Sequence, residues 1–472
     1  MQFGTDGWRA VISDTFTMAN VRRVAQALAD YVVSGPHSTP VVAVGYDTRF
    51  LSRRYAEEVA GVLAANAIGV LFSARATPSP VVSFVVKHRQ LAGGVMITAS
   101  HNPPEYNGIK FKGDYGGSAL PEMTSQIEAR LQANTAEGRE PLTTDFSRAV
   151  GRGQVEFIDP RPEYFARLQE LVDMEKVRSL KLPVVIDPMY GAGQGYLREF
   201  LAEDGLKVVE IRGEINPAFG GVNPEPIAKN LAALATAVRE AGAVAGFATD
   251  GDADRVGAMD HEGNFVDSHR IFALLLQHLA GRRGWEGDVV KTFSTTQMVD
   301  ILAGRYGRKL HITPVGFKYI CELMLAQPIL IGGEESGGIG ITRHIPERDG
   351  LFNSLLLMEI MAATGKNLQE LIVELMAAIG PHYYDRVDLH LGPEEDEDFR
   401  QHFVERLPDR LAGQVVERCD RLDGVKLFLA GGRWILFRAS GTEPVVRVYA
   451  EAPSPDEVAE LLAAGRELLE RR

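Results

Sequence analysis

The chain has 472 residues, 45% of them hydrophobic and 24% charged, with 50 basic against 63 acidic side chains and a net charge of −13. That length holds several domains with their own cores, and the acidic balance argues against general nucleic-acid binding, which depends on a basic face. No apolar run reaches the length of a membrane span, and the opening Met1-Gln2-Phe3-Gly4 lacks the basic flank and apolar stretch of a signal peptide.

In chain order, Val41–Gly45 reads as a buried strand, Arg53–Ala67 as a helix and Gly69–Phe72 as a second strand. Gly94–Thr98 is a further apolar strand that runs straight into Ser100. The alternation restarts with strands at Pro183–Asp187 and Lys207–Ile211, a helix near Asn230–Ala241 and the strand Ala243–Thr249, which delivers Asp250. A third round has strands at Asp288–Thr292 and His311–Thr313, a helix from Phe317, and the strand Pro328–Ile331, which leads to Glu334. After Pro381 the texture changes: Tyr383–Leu391 alternates, the acidic turn Glu394–Asp398 follows, and strands Trp434–Arg438 and Val445–Glu451 precede a helix over Pro455–Leu469. The predicted architecture is α/β: three similar α/β domains (1–150, 151–258, 259–381) and a smaller α+β C-terminal domain (382–472) around a central cleft. Pro160-Arg161-Pro162 and Ile215–Pro226 read as connectors or loops. Each α/β unit presents a polar loop at a strand's carboxyl end, where open sheets of this kind bind ligands.

The first of these loops is Thr98-Ala99-Ser100-His101-Asn102-Pro103. Pro103 and Pro104 forbid both a continuing strand and a clean helix start, so the Ser100 hydroxyl is held on a turn. By itself it reads equally as a capping serine; the Gly-x-Ser-x-Gly of a serine hydrolase is absent. The second loop is Asp250-Gly251-Asp252-Ala253-Asp254-Arg255. In an extended segment its three aspartates face one side, and three carboxylates so close need a cation or repel. Hard oxygen donors suit Mg²⁺, whereas an EF-hand would need Gly where Arg255 stands and Glu where His261 stands; a solvated acidic loop is the bland alternative. Gly191-Ala192-Gly193-Gln194-Gly195 places Tyr196 at the third glycine of a dinucleotide fingerprint and so reads as a structural turn. The third chemical loop, Arg438-Ala439-Ser440-Gly441-Thr442, offers a guanidinium fork, two hydroxyls and backbone N–H groups to one phosphate. Arg447 on the next strand adds a cation or is an inert surface arginine. Gly333-Glu334-Glu335-Ser336-Gly337-Gly338 puts two carboxylates on a flexed loop, suited to sugar hydroxyls or to a helix cap.

Together, in order and wording, these loops resemble the α-D-phosphohexomutase superfamily, enzymes that move phosphate between carbons 1 and 6 of a hexose; the likeness runs from Gly4 to Glu451. The resemblance implies that Ser100 carries the phosphoryl group and shares Mg²⁺ with Asp250, Asp252 and Asp254. It implies that Lys110 assists proton transfer, although a lone lysine otherwise reads as surface charge. It also implies sugar contacts from Glu334 and Ser336, a phosphate seat at Arg438–Thr442, and catalytic support from Arg9, His101 and Arg255. Glucose 1,6-bisphosphate is then the intermediate and activator.

Within the superfamily, phosphoglucosamine mutases usually read Gly-Glu-Gln-Ser-Gly-His, and the dual mannose/glucose enzymes Gly-Glu-Met-Ser-Gly-His. Here Glu335 and Gly338 depart from both, and Glu-Glu-Ser is similar to the phosphoglucomutase branch. Arg343–Gly350, with His344, and Val315-Gly316-Phe317-Lys318 resemble that branch too. His344 is therefore expected to replace the histidine missing at 338 as a base, and Gly316, Phe317 and Lys318 to join the sugar site. The expected substrate is a glucose phosphate, with mannose phosphate, alone or alongside, or glucosamine phosphate as the alternative and a metal-dependent sugar phosphatase the reading from a different class. Neither nucleic acid, membrane nor an obligate protein partner is expected. Two cysteines, Cys321 and Cys419, are too few for a disulfide framework, so a cytoplasmic setting fits.

Overall fold

Val41–Tyr46 is buried along nearly its whole length. A strand apolar on both faces needs helices above and below it, and such strands pair in parallel. It lies between Gly69–Ser73 and Gly93–Ile97, parallel to both. The structure, a computed structural model, describes all residues except 1–2, 5–6, 204, 393–398, 400, 440–444 and 471–472; the expected acidic turn 394–398 lies outside the described residues. The described residues form four sheets.

The first sheet has six strands, in the order Trp8–Val11, Tyr106–Lys112, Gly93–Ile97, Val41–Tyr46, Gly69–Ser73 and Val155–Ile158. Its second strand runs antiparallel to both of its neighbours, with Ile109 opposite Trp8 and Lys112 opposite Gly94. Antiparallel pairing folds Lys110 back beside the strand that leads to Ser100. The last strand, Val155–Ile158, pairs with Gly69–Ser73 beyond the boundary expected at 150. The second sheet, built on Val184–Asp187 and Ala245–Thr249, likewise continues through Phe265–Val266, past the boundary expected at 258. Both strands cover a sheet edge, a tertiary need with no local signal. The third sheet has four strands, ending in Ile329–Gly333 and Ile339–Ile341.

The fourth sheet is antiparallel throughout, from Tyr383–His390 through Val445–Ala452 and Arg433–Ala439 to Arg410–Leu411, with the helix Pro455–Glu470 against it. The fold is thus three α/β units followed by a C-terminal unit with an antiparallel sheet, as the alternation suggests. Helix Gly350–Thr364 is mostly apolar and largely buried on all sides, as a helix walled by protein must be. Asp349 caps it, accepting the N–H groups of Leu351 and Phe352 at 3.0 Å each. Among the described residues no helix is long and apolar enough to cross a membrane.

Backbone bonds stitch loops and helix starts of different units together. The Ser79 N–H donates to Asp252 O at 2.9 Å, that of Val256 to Gly337 O at 3.2 Å, and that of Gly350 to Ala253 O at 3.1 Å. The loops after three sheets are thereby held around one point.

Candidate active site

Ser100 takes a left-handed backbone, φ 54°, after the strand Gly93–Ile97. A non-glycine residue there costs about 1–2 kcal/mol, so its surroundings must impose it. The Ser100 N–H donates to Thr98 Oγ1 at 2.9 Å, and Thr98 donates to the Asp47 carboxylate at 2.6 Å. Arg49, buried, donates to the carbonyls of Ser100, Asn102 and Pro103 at 2.6–2.7 Å. Asp47 balances that charge at 3.2 Å from Arg49 Nε. Gly251 completes the fit, since a β-carbon there would lie 2.3 Å from Ser100 O. The sequence reading passed over Arg49; its signal is Asp47-Thr48-Arg49 at another strand's carboxyl end.

The Ser100 hydroxyl donates to Asp250 Oδ2 at 2.7 Å. Asp250, Asp252 and Asp254 are all fully buried, with oxygens within 4.8 Å of one another. They do not converge by alternation along an extended segment. The loop turns instead, with Ala253 N–H donating to Asp250 O at 3.0 Å and Ala253 itself at φ 60°. A turn brings alternate side chains closer than a strand would, because it shortens the path between them. Asp250 Oδ1 accepts the N–H groups of Asp254 and Arg255 at 3.0 and 3.1 Å.

Burial, aided by Asp254 and Asp252, pushes the Asp250 carboxyl well above the usual carboxylate range. Burial works the same way on Asp252, yet Lys110 and Ser79 hold its carboxyl below that range. Lys110 is no surface charge: it is fully buried and donates to Asp252 at 2.8 Å and Asp254 at 3.0 Å. Ser79 donates to the same Asp252 oxygen at 2.6 Å. Oδ1 of Asp252 and Oδ1 of Asp254 are buried with no hydrogen-bond partner among the described residues. Orphaned anionic oxygens are costly, and a hard divalent cation would answer them. The triad therefore fits a metal ion.

Cations ring this cluster. Arg255 Nε is 4.0 Å from Asp250 and 3.9 Å from Asp254. Arg9 donates to the Asn102 side chain at 2.8 Å. His101 Nδ1 is 3.4 Å from Ser100 Oγ, and burial with Arg255, Arg9 and Lys110 nearby holds the ring well below the usual histidine range. Arg348, which the sequence reading did not single out, lies 2.9 Å from Asp254 and 3.6 Å from Glu334, so it joins the acidic loop to the candidate sugar loop.

Glu334 and Glu335 part company. Burial pushes the Glu334 carboxyl up to about 7, against the pull of Arg348. Glu335 accepts from Ser294 Oγ of its own unit at 3.0 Å and lies 3.9 Å from Arg386 of the C-terminal unit. Ser336 sits half-buried on the same turn. Gly316, at φ 135°, begins the helix Phe317–Ala326. Phe317 is buried with its ring 5.1 Å from the Arg348 guanidinium. Lys318 Nζ lies 5.3 Å from the Tyr319 ring.

His344 is not brought to the cluster. It is buried among Phe84, Tyr164 and Phe352, and its Nε2 lies 3.1 Å from Asp349. Its helix-capping partner and aromatic walls make it part of the core.

On the C-terminal sheet Arg438 and Arg447 are direct cross-strand partners. Like charges so placed repel, and each has a carboxylate: Asp423 at 2.9 Å from Arg438 and Asp388 at 3.8 Å from Arg447. Ser440, Gly441 and Thr442 lie outside the described residues.

Three α/β units and an antiparallel C-terminal unit, with a buried acidic triad against a serine, define a sugar-phosphate mutase architecture. The chain belongs to the phosphoglucomutase/phosphomannomutase family: its α/β/α domains I, II and III match residues 1–138, 162–263 and 267–379, and its C-terminal domain matches 394–468. It is an isomerase of the phosphohexomutase type, an intramolecular phosphotransferase. A Thermococcus kodakarensis protein named phosphoglucomutase/phosphomannomutase is 32% identical over 99% of this chain and 98% of its own. A Salinispora arenicola phosphoglucosamine mutase is 34% identical over 95% and 94% of the two chains. The crystal structure of a Thermus thermophilus protein, provisionally named phosphomannomutase, superposes with a TM-score of 0.88 at 39% identity, covering 100% of this chain and 99% of that one.

Proposed function

We propose that this phosphohexomutase is a phosphoglucomutase, interconverting glucose 1-phosphate and glucose 6-phosphate through a phosphoserine at Ser100 and a glucose 1,6-bisphosphate intermediate. The observation that carries the reaction type is the Ser100 hydroxyl, 2.7 Å from Asp250 within the buried triad. Asp250, Asp252, Asp254 and the Ser100 oxygen would hold Mg²⁺, which when bound neutralises charge on the phosphoryl oxygens.

The substrate's hydroxyl oxygen bonds to the phosphorus of phosphoserine as the bond to Ser100 Oγ breaks. Lys110, which donates to Asp252 and Asp254, relays the hydroxyl's proton to the departing Ser100 oxygen, so the serine leaves as its hydroxyl. His344, walled into the core, is withdrawn from the base role. Arg9 and Arg255 meet the charge spread over the transferring group, and His101 donates a hydrogen bond to it. Glu334 and Ser336 grip ring hydroxyls, while Arg438, Ser440, Gly441, Thr442 and Arg447 hold the phosphate that is not reacting. The bisphosphate then turns and rebinds by its other phosphate, and the second transfer restores phosphoserine. A fixed second phosphate seat argues for a mutase over a phosphatase, which needs only one.

The Glu334-Glu335-Ser336 spelling supports glucose. The Thermus relative's name favours a second reading, phosphomannomutase activity alone or alongside. Glucose and mannose differ at carbon 2 alone, so discrimination worth one hydrogen bond, about 1 kcal/mol, gives a several-fold preference. Coupled assays of glucose, mannose and glucosamine 1-phosphates side by side should rank glucose first in kcat/KM. A higher kcat/KM for mannose 1-phosphate would reject the glucose assignment and keep the mutase mechanism.

A further inference from the structure

One carboxylate touches two separate recognition elements. Asp423 lies in the turn between strands Gln414–Asp420 and Val425–Leu429 of the C-terminal unit. Its Oδ2 accepts from Arg438 Nε at 2.9 Å and from the backbone N–H of Val315 at 2.8 Å. Val315 belongs to the third α/β unit and precedes Gly316 at the start of helix Phe317–Ala326.

The turn is shaped for this approach. Gly424 has φ +100°, and a β-carbon there would lie 2.3 Å from Phe437 O and 3.1 Å from Arg438 Cα. No other residue lets the turn sit so near the arginine's own strand. Arg438 and Asp423 keep side-chain exposures of 15% and 22%, so the pair is partly withdrawn from water and its carboxylate stays close to the guanidinium. Its consequence is geometric. Anchoring a guanidinium by its inner nitrogen fixes the plane of the fork and turns the outer nitrogens to a second anion. The same oxygen ties that fork to the third unit, across a boundary also bridged by Lys426 Nζ donating to Phe293 O at 2.8 Å.

We propose that Asp423 is a positioning residue: it orients Arg438 for the non-reacting phosphate of the sugar phosphate and ties that seat, through Val315, to the unit that holds the sugar loop. This rests on the reading of Arg438 as part of the phosphate seat. Asp423 itself repels phosphate, so its benefit must come through the arginine.

The experiment is steady-state kinetics with glucose 1-phosphate on wild type, Asp423→Ala, Asp423→Asn, Arg438→Ala and the double variant Asp423→Ala/Arg438→Ala, with melting temperatures alongside. Loss of an oriented, charge-assisted contact predicts a KM raised about tenfold in Asp423→Ala with kcat changed less than about threefold. Asp423→Asn, which keeps an oxygen acceptor, should fall between wild type and the alanine variant. The double variant should have the KM of Arg438→Ala alone, because a residue acting through Arg438 has nothing left to position. An unchanged KM in Asp423→Ala beside a raised KM in Arg438→Ala overturns the positioning role and leaves the phosphate seat standing. Effects that multiply in the double variant overturn it too. An unchanged KM in Arg438→Ala removes the phosphate seat and this proposal with it. If Asp423→Ala does not fold, Asp423→Asn decides, with wild-type KM as the contrary result.

Discussion

A β-carbon on Gly338 would lie 2.5 Å from Cδ of Arg348, so the arginine fills the space that a side chain at that position would need. Its guanidinium reaches Asp254 at 2.9 Å and Glu334 at 3.6 Å. That cation comes from the turn before helix Gly350–Thr364.

Gly338→His should therefore overpack the loop, costing roughly 1–3 kcal/mol and at least tenfold in kcat/KM. Gly338→His should cost less melting temperature in an Arg348→Ala background than in wild type, because the arginine stem is the obstruction. Melting curves and kcat/KM for the wild type, the two single variants and the double variant check this. An equal penalty in both backgrounds would place the clash elsewhere.

Ser100→Ala should abolish nearly all turnover. Intact mass of the wild-type protein should show a phosphate-sized increment mapping to the Ser100 peptide, and none should appear in the variant. Full activity in Ser100→Ala would end the phosphoserine mechanism.

Activity should be lost in excess chelator and return with Mg²⁺. Asp252→Asn removes a charge from the oxygen donor set and one partner of Lys110, so metal affinity measured by titration calorimetry should fall tenfold or more, on the order of 1.4 kcal/mol. Undiminished rates in chelator would contradict the metal assignment.

Glu334 should make the protein less stable as pH rises. Burial lifts its carboxyl to about 7 in the folded chain from an ordinary value of 4.5. Between those values the folded state holds a proton that the unfolded state has released, so stability falls as pH rises through that window, by up to about 3 kcal/mol. Glu334→Gln carries no such proton. Its melting temperature relative to wild type should improve from pH 5 to pH 8, while its kcat/KM falls through loss of a sugar contact. A melting difference that does not change with pH would show that the carboxyl is not buried as described.

Much of this protein is legible in its linear order. Apolar strands ending in Ser100, Asp250 and Glu334 announce three α/β units and the loops that matter, because strand burial and turn chemistry are local properties. The alternating stretch from Tyr383 likewise announces an antiparallel sheet. Tertiary structure alone decided which way the side chains face and what they meet. Ser100 and Asp250 are 150 positions apart, and Lys110 and Asp252 are 142 apart; no local pattern records such a meeting. Lys110 looked like surface charge because a lysine's burial depends on carboxylates from another unit. His344 looked available because the three aromatic rings that enclose it come from distant segments and from the helix that follows its turn. Arg49, Arg348 and Asp423 escaped notice for the same reason. Each acts by bridging segments distant in the chain, and a bridge has no pattern until both of its ends are folded into place.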